Sequence, residues 1–404
     1  MWTSLLFTTC PPRMKFIINQ ADFSKILTIG AKSILSKANL PILSNLLIST
    51  VDNGIEVLST DLETAIRARV SCKVDKKGQT AVAGRTLLEF VAQLDEKDIT
   101  VEKLGEEVVL SAEGYSARLA TMPPEDFPAI PKIKKGVEFS LSKQELAGVV
   151  ARVAFCAASD EGRPILTGML CEISKDKMSF VATDGYRLSF DQDQIKTGAS
   201  LPALKMIVPA KAMIEVGKII AEDDNEQKEN RGGGVKVVIS QDINQATFKF
   251  GEEKEKFDVE FTTRLIEGEF PNWQKIIPDA FVTRAKIDKQ EFTKLVRLTS
   301  IFARESGNII KLKLTPGANS KGATLSVASQ SSQLGSSDAV VDIELEGRGG
   351  EIAFNFRYLL EILAVVGGQE INFDMNESLN PGKITGVDPK DPFFHIIMPV
   401  RLQA

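Results

Sequence analysis

The chain has 404 residues, 43% apolar and 25% charged, with a formal net charge of −5. Such a length suggests roughly two to four domains, and the balance describes a globular chain rather than a disordered or fibrous one. No apolar run approaches the roughly 18 residues that span a bilayer, so membrane insertion is not expected.

Four scattered cysteines (Cys10, Cys72, Cys156, Cys171) form no Cys-x-x-Cys pair and read as reduced thiols of a cytosolic protein. His395 is the only histidine, which removes the commonest general base and metal ligand from most of the chain. Neither a metal nor a cofactor is expected.

In chain order, "MWTSLLFTTCPPR" lacks a basic n-region and a small-residue cleavage site, so residues 1–13 read as an extension outside the fold. The strand-like "MKFIINQ" from Met14 leads into a helix with apolar residues at Phe23, Ile26, Leu27, Gly30, Ala31 and Ile34. There follow "LPILSNLLISTVDNGIEVLSTDLETAI" (Leu40 to Ile66), a second helix "GRTLLEFVAQL" from Gly84, and the Pro-rich "ATMPPEDFPAIP".

The same series then returns. A helix presents Leu146, Val149, Val150 and Val153, ahead of "RPILTGMLCEISKDKMSFVATDGYRLS" (Arg163 to Ser189), the helix "PAKAMIEVGKII" and "RLIEGEFPNWQKIIP". Pro41 to Pro164 and Thr60 to Thr183 are each 123 apart. A third helix with Phe292, Leu295, Val296 and Thr299 follows, 146 beyond the second; "NFRYLLEILAVV" and "HIIMPVRL" complete that copy.

Alternating segments such as "GIEVLST", "KMSFVAT" and "ATLSVAS" read as strands between these helices. The pattern is three tandem α+β domains, 14–135, 136–281 and 282–404. The charged, Gly-rich stretch from Ala221 to Lys236 reads as a solvated hairpin loop. "GANSKGAT" (Gly317 to Thr324) lacks the Lys of a phosphate loop and reads as a turn.

Helix wheels give the charge a direction. Lys294, Arg297 and Arg304 fall opposite the buried face of their helix, as do Lys25 and Lys32 of the first copy. Arg85, Lys211 and Arg357 stand two residues before the apolar pair of the second helix in all three copies, and Lys218 lies on the same side as Lys211. An acidic chain with a recurring basic helix face points to a polyanion held by sequence-independent phosphate contacts.

Three tandem units with "LPILSNLL", "TDGYRL", "EGEFPNW" and a terminal "MPVRL" resemble the bacterial DNA polymerase III beta subunit family, the DNA sliding clamps, from Met14 to Leu402. The resemblance implies a head-to-tail dimeric ring around duplex DNA, helices inside and sheets outside. It implies no catalytic chemistry, but tethering of the replicative polymerase and other replication and repair proteins, ligase among them, after loading by a clamp loader. Matching interface positions are Ala117, Leu119, Ile301 and Phe302.

A partner-peptide pocket would use Arg163, Leu166, Thr183, Gly185, Tyr186, Arg187 and Leu188, with Pro271, Lys275 and Ile276, and Met398, Pro399, Val400, Arg401 and Leu402 of the tail. Ser378 and Pro381 match less closely. Thr and Arg are expected at its rim, bonding peptide polar groups. Family DNA contacts map onto Lys37, Arg85 and Lys211, and Arg357 joins them by the repeat. Tyr186 departs from the family's frequent His, and Gln403-Ala404 extend past its usual end.

Two other readings stand beside this one. An enzyme could use Asp184, Tyr186 and Arg187, but "TDLETA" keeps Thr60-Asp61 without Tyr or Arg, which marks the Asp as a turn residue. A repeat scaffold that binds only proteins would leave the recurring basic positions unexplained.

Overall fold

The computed structural model describes residues 14–401 except 36–39, 96, 131–132, 134, 176, 196–200, 225–233, 241, 243, 252–255 and 318–321. The expectations for residues 1–13, Lys37, the centre of the charged loop and Leu402 lie outside the described residues.

Six helices are present among the described residues: α1 Gln20–Gly30, α2 Gly84–Ala92, α3 Lys143–Val153, α4 Ala210–Asp224, α5 Lys289–Ala303 and α6 Phe356–Val365. The starts of α1, α5 and α6 are set by side-chain caps that satisfy otherwise orphaned N–H groups. Asn19 accepts from the Ala21 amide, Asp288 from Glu291 and Asn355 from Arg357. The apolar stripes face inward, with Phe23, Ile26 and Leu27 buried on α1, Leu146, Val149, Val150 and Val153 on α3, and Phe292, Leu295 and Val296 on α5.

Lys32 is a correction to the expected exposed stripe. The α-helix stops at Gly30 and tightens into a 3₁₀ turn over Ala31–Ser33, so the wheel no longer places the residue. Its ammonium lies 2.9 Å from Glu222 and its side chain is only 12% exposed.

Among the described residues every strand pairing is antiparallel, and the chain divides into two compact units. The first, residues up to Lys143 with Lys218–Arg264, carries a thirteen-stranded sheet. In it, strand Phe257–Arg264 pairs with Thr64–Ser71, joining the second copy to the first from Thr64↔Thr263 to Val70↔Phe257. Phe16 and Phe23 meet edge to face in its core, with centroids 5.9 Å apart.

The second unit, Gln144–Gly217 with Leu265–Ala404, carries a twelve-stranded sheet. Here Arg187–Gln194 pairs with Phe394–Ile397, joining the second copy to the third. Its main core packs α5 and α6 on the sheet through Phe292, Phe354, Leu359, Ile362 and Phe373. No helix among the described residues is long and apolar enough to cross a membrane.

Candidate functional site

"TDGYRL" is a turn between two strands of the second unit, Lys177–Thr183 and Arg187–Gln194. The Thr183 hydroxyl donates to the Arg187 carbonyl at 2.6 Å and accepts from the Gly185 amide at 3.1 Å. Asp184 Oδ1 accepts from the amides of Tyr186 (2.8 Å) and Arg187 (3.0 Å). Side chains thus replace the backbone bonds of a tight turn. Gly185 has φ +91°, a left-handed conformation that favours glycine.

The same bonds recur in the first copy. Thr60 Oγ1 donates to the Thr64 carbonyl at 2.7 Å and accepts from Leu62, while Asp61 Oδ1 accepts from Glu63 and Thr64. An identical Asp in a copy lacking Tyr and Arg is turn architecture, not an acid poised for chemistry.

Arg187 is not at a rim, which corrects the expectation. It is buried, pairs with Asp184 at 3.1 Å and with Glu361 of α6, and donates to the Phe155 carbonyl at 3.0 Å. Its guanidinium lies 4.4 Å from the Tyr358 ring centroid and 5.2 Å from that of Phe155. A buried cation needs such partners. Thr183 is likewise buried, and Leu188, 1% exposed, is plain core beside Leu170, Val181 and Ile396.

Beneath the turn lies the chain's single histidine. His395 Nδ1 is 2.7 Å from the Ser189 hydroxyl and 3.6 Å from Cys156 Sγ, and the ring stacks on Phe155. Complete burial and nearby Arg187 push His395 down to about 3, while burial pushes Cys156 up to about 12. Neutral imidazole and thiol, shut from solvent, make a packing cluster rather than a nucleophile with its base.

An accessible apolar rim remains above this floor. Tyr186 is 60% and Met398 36% exposed, and the Met398 amide donates to the Tyr186 carbonyl at 2.8 Å. Arg163 donates to the Asp184 carbonyl at 2.9 Å, which holds it beside the turn. Leu166 and Ile276 are half-buried, and Ile276 packs against the Leu188 cluster. Pro271 and Lys275 are exposed on either side of buried Trp273.

Pro381 precedes the Gly382–Gly386 strand, which pairs with Phe394–Ile397, while Ser378 is exposed in the turn before it. Pro399 is half-buried and Arg401 exposed; the Val400 amide ties the tail to the Ala353 carbonyl at 2.8 Å. Phe155, Tyr358 and Glu361, which fix Arg187, were missed in sequence because no local motif links residues 32 to 174 apart.

The basic positions recur in structure. Arg85, Lys211 and Arg357 are each the second residue of α2, α4 and α6, and all are exposed. A cation there opposes the helix macrodipole, costing about 0.3–1 kcal/mol per site. Lys294 and Arg297 are exposed on α5, and Lys218 on α4. Lys25 is half-buried with its ammonium 4.7 Å from the Phe257 ring centroid.

Each unit also shows an open strand edge among the described residues. Residues 115–120, which include Ala117 and Leu119, pair only with Glu107–Ala112. In the second unit, residues 335–343 pair only with Ala323–Ser331, and α5 packs against that strand with Ile301 52% exposed and Phe302 half-buried. Exposed Leu298 and Val340 extend this apolar surface.

The chain matches three family profiles in tandem: the DNA polymerase III beta subunit N-terminal domain over residues 14–131, its central domain over 140–272 and its C-terminal domain over 274–401. Among curated relatives, the beta sliding clamp of Pseudomonas aeruginosa is 27% identical, covering 96% of this chain and all of the relative. That of Synechococcus elongatus is 25% identical over 97% of this chain and all of the relative. The crystal structure of the Pseudomonas aeruginosa sliding clamp bound to griselimycin has a TM-score of 0.85 at 25% identity, covering 96% of this chain and all of the other. The Thermotoga maritima DNA polymerase III beta subunit, 24% identical with the same coverage, has a TM-score of 0.86 and shares the fold.

Proposed function

The chain belongs to the DNA polymerase III beta subunit family, and from that membership we propose that it is a sliding clamp, which encircles duplex DNA and tethers the replicative polymerase to it. It is a processivity subunit and not itself a catalyst. The three repeat copies, 14–135, 136–281 and 282–404, are its clamp domains.

The observation that carries the reading is the basic residue at the second position of α2, α4 and α6. Three copies keep a charge that local helix electrostatics disfavours, which fits selection for an outside anion. With Lys25, Lys218, Lys294 and Arg297 these residues would contact phosphates without reading sequence. Lys32, paired with Glu222, would contribute little.

Two copies of the chain would close head to tail. The open edge at 115–120 of one would extend the sheet from 335–343 of the other, with Ile301 and Phe302 packing beside it, because an unpaired edge is a template for another strand. Short peptides of the clamp loader, polymerases, ligase and repair proteins would dock on the rim of Arg163, Tyr186, Ile276 and Met398, making their next encounter with DNA intramolecular. The site of action is the cytoplasm.

Loading on nicked circular plasmid with a clamp loader, followed by linearisation, tests the ring. Retention on the circle and run-off from the linear form are expected; equal retention on both defeats the proposal. Ile301→Glu should shift the sedimenting species to monomer, and an unchanged dimer would remove Ile301 from the interface.

A further inference from the structure

The turn bordering the proposed partner pocket occurs a second time, in the first compact unit, with different surroundings. The Arg264 amide donates to the Glu63 carbonyl at 3.0 Å as Met398 does to Tyr186 at 2.8 Å. Matched on these bonds and on "FPAIPKI" against "FPNWQKI", Leu62 stands for Gly185, Arg264 for Met398, and Ile130 for Trp273.

Beneath the second copy's turn, three rings fill the space. Phe190 stacks on Phe394 at 4.8 Å and lies 5.3 Å from Trp273. The matching residues of the first joint are Arg67, Glu260 and Ile130, and there the space is open. A cavity of about 450 Å³ is lined by these three with Arg69, Lys135 and Lys249 among others. It adjoins a smaller one of about 80 Å³ that reaches Leu62 and Pro128, and both share Ala65, Ile130 and Thr262.

Charge and conformation point to a ligand rather than to loose packing. Arg67, Arg69, Lys135 and Lys249 line the larger cavity with two carboxylates, Glu138 and Glu260; Lys249 is paired with Glu260 at 2.8 Å and Arg69 with Glu56 at 2.7 Å, which leaves Arg67 without a close acceptor and Lys135 exposed. Arg67 Nε is buried with no hydrogen-bond partner among the described residues, and the guanidinium's ion pairs are long, with Glu56 at 3.7 Å and Glu260 at 3.8 Å. A guanidinium short of a close acceptor is a site for an incoming carboxylate. Leu62 is held at φ +77°, where its counterpart is glycine, and is 53% exposed at the mouth. That strain keeps an apolar side chain in solvent beside Pro128 and Ile130.

We propose that this groove is a second docking site, which takes a short acidic peptide. An extended segment would lay an apolar side chain against Leu62, Pro128 and Ile130 and bring carboxylates to Arg67 and Lys135. The peptide class rests on the partner-pocket reading by repeat equivalence; the cavity and its charge do not.

The test is fluorescence anisotropy of a fluorescein-labelled peptide of alternating Glu and Leu, titrated with the full-length protein. Saturable binding is expected. Ile130→Trp, which supplies the ring the second copy has, and Lys135→Glu should each weaken it by about tenfold, with folding checked by circular dichroism. A Tyr186→Ala/Met398→Ala double variant should bind this peptide as the wild type does, whatever it does to partner proteins. Loss in the double variant with no change in the groove variants would assign the peptide to the other joint and overturn the proposal. So would absent saturation, equal binding of a Lys-Leu peptide, or displacement by single-stranded DNA, which would mark a phosphate site.

Discussion

The two joints between repeat copies begin from one turn, bonded alike through Thr60-Asp61 and Thr183-Asp184, and then part. The second-to-third joint pairs four residues but stacks Phe190, Phe394 and Trp273 behind them; the first-to-second pairs seven and leaves a charged cavity. A long ladder satisfies backbone groups by itself, and a short one leans on side-chain packing. The same backbone motif is thus held together by different means at its two occurrences.

The largest expected effect is at the packed joint. Trp273→Ala should destabilise by about 3–5 kcal/mol, against under about 1 kcal/mol for Ile130→Ala at the open one. Urea midpoints check this, and equal shifts would mean that the joints do not differ in packing. Arg187→Ala, which strands Asp184 beside a broken buried ion pair, should cost about 3 kcal/mol. A loss below about 1 kcal/mol would show that the Arg187 pairs are screened like surface ones.

A third prediction concerns His395, whose counterpart at the first joint is Phe261. Its folded pKa, about 3, is far below the ordinary 6.5, so the unfolded chain binds the proton first and stability from the neutral ring is lost as pH falls through that window. The stability advantage of wild type over His395→Phe should shrink by about 1.4 kcal/mol per pH unit below 6.5. Asp191, pushed up to about 6 by burial, acts in the opposite sense but cancels in the difference. A pH-independent difference would mean the ring is protonated in place.

The smallest effect is at the turn. Leu62→Gly should raise stability by about 0.5 kcal/mol by relieving the left-handed strain. A decrease in the thermal midpoint would show that Leu62 packs rather than waits in solvent.

Much of this was legible in the chain. The apolar period of α1, α3 and α5 marked their buried faces, because a helix side is read every three or four residues and needs no distant partner. Thr183-Asp184 was readable as a turn for the same reason, since its bonds close within four residues. Lys32 was misread because the change from α to 3₁₀ after Gly30 rotates it toward Glu222, 190 residues away.

By itself, then, the sequence determined the three copies, their helices and the recurring cation at each second-helix start, all local or periodic features. Only tertiary structure decided that Arg187 is a buried strut and not a rim residue. Helix α6 brings Tyr358 and Glu361, and the 3₁₀ turn after α3 brings Phe155, around it, and burial leaves a charge no alternative but to be paired. Tertiary structure also decided that Arg67 and Phe190, alike in repeat position, face an open cavity and a stack of rings.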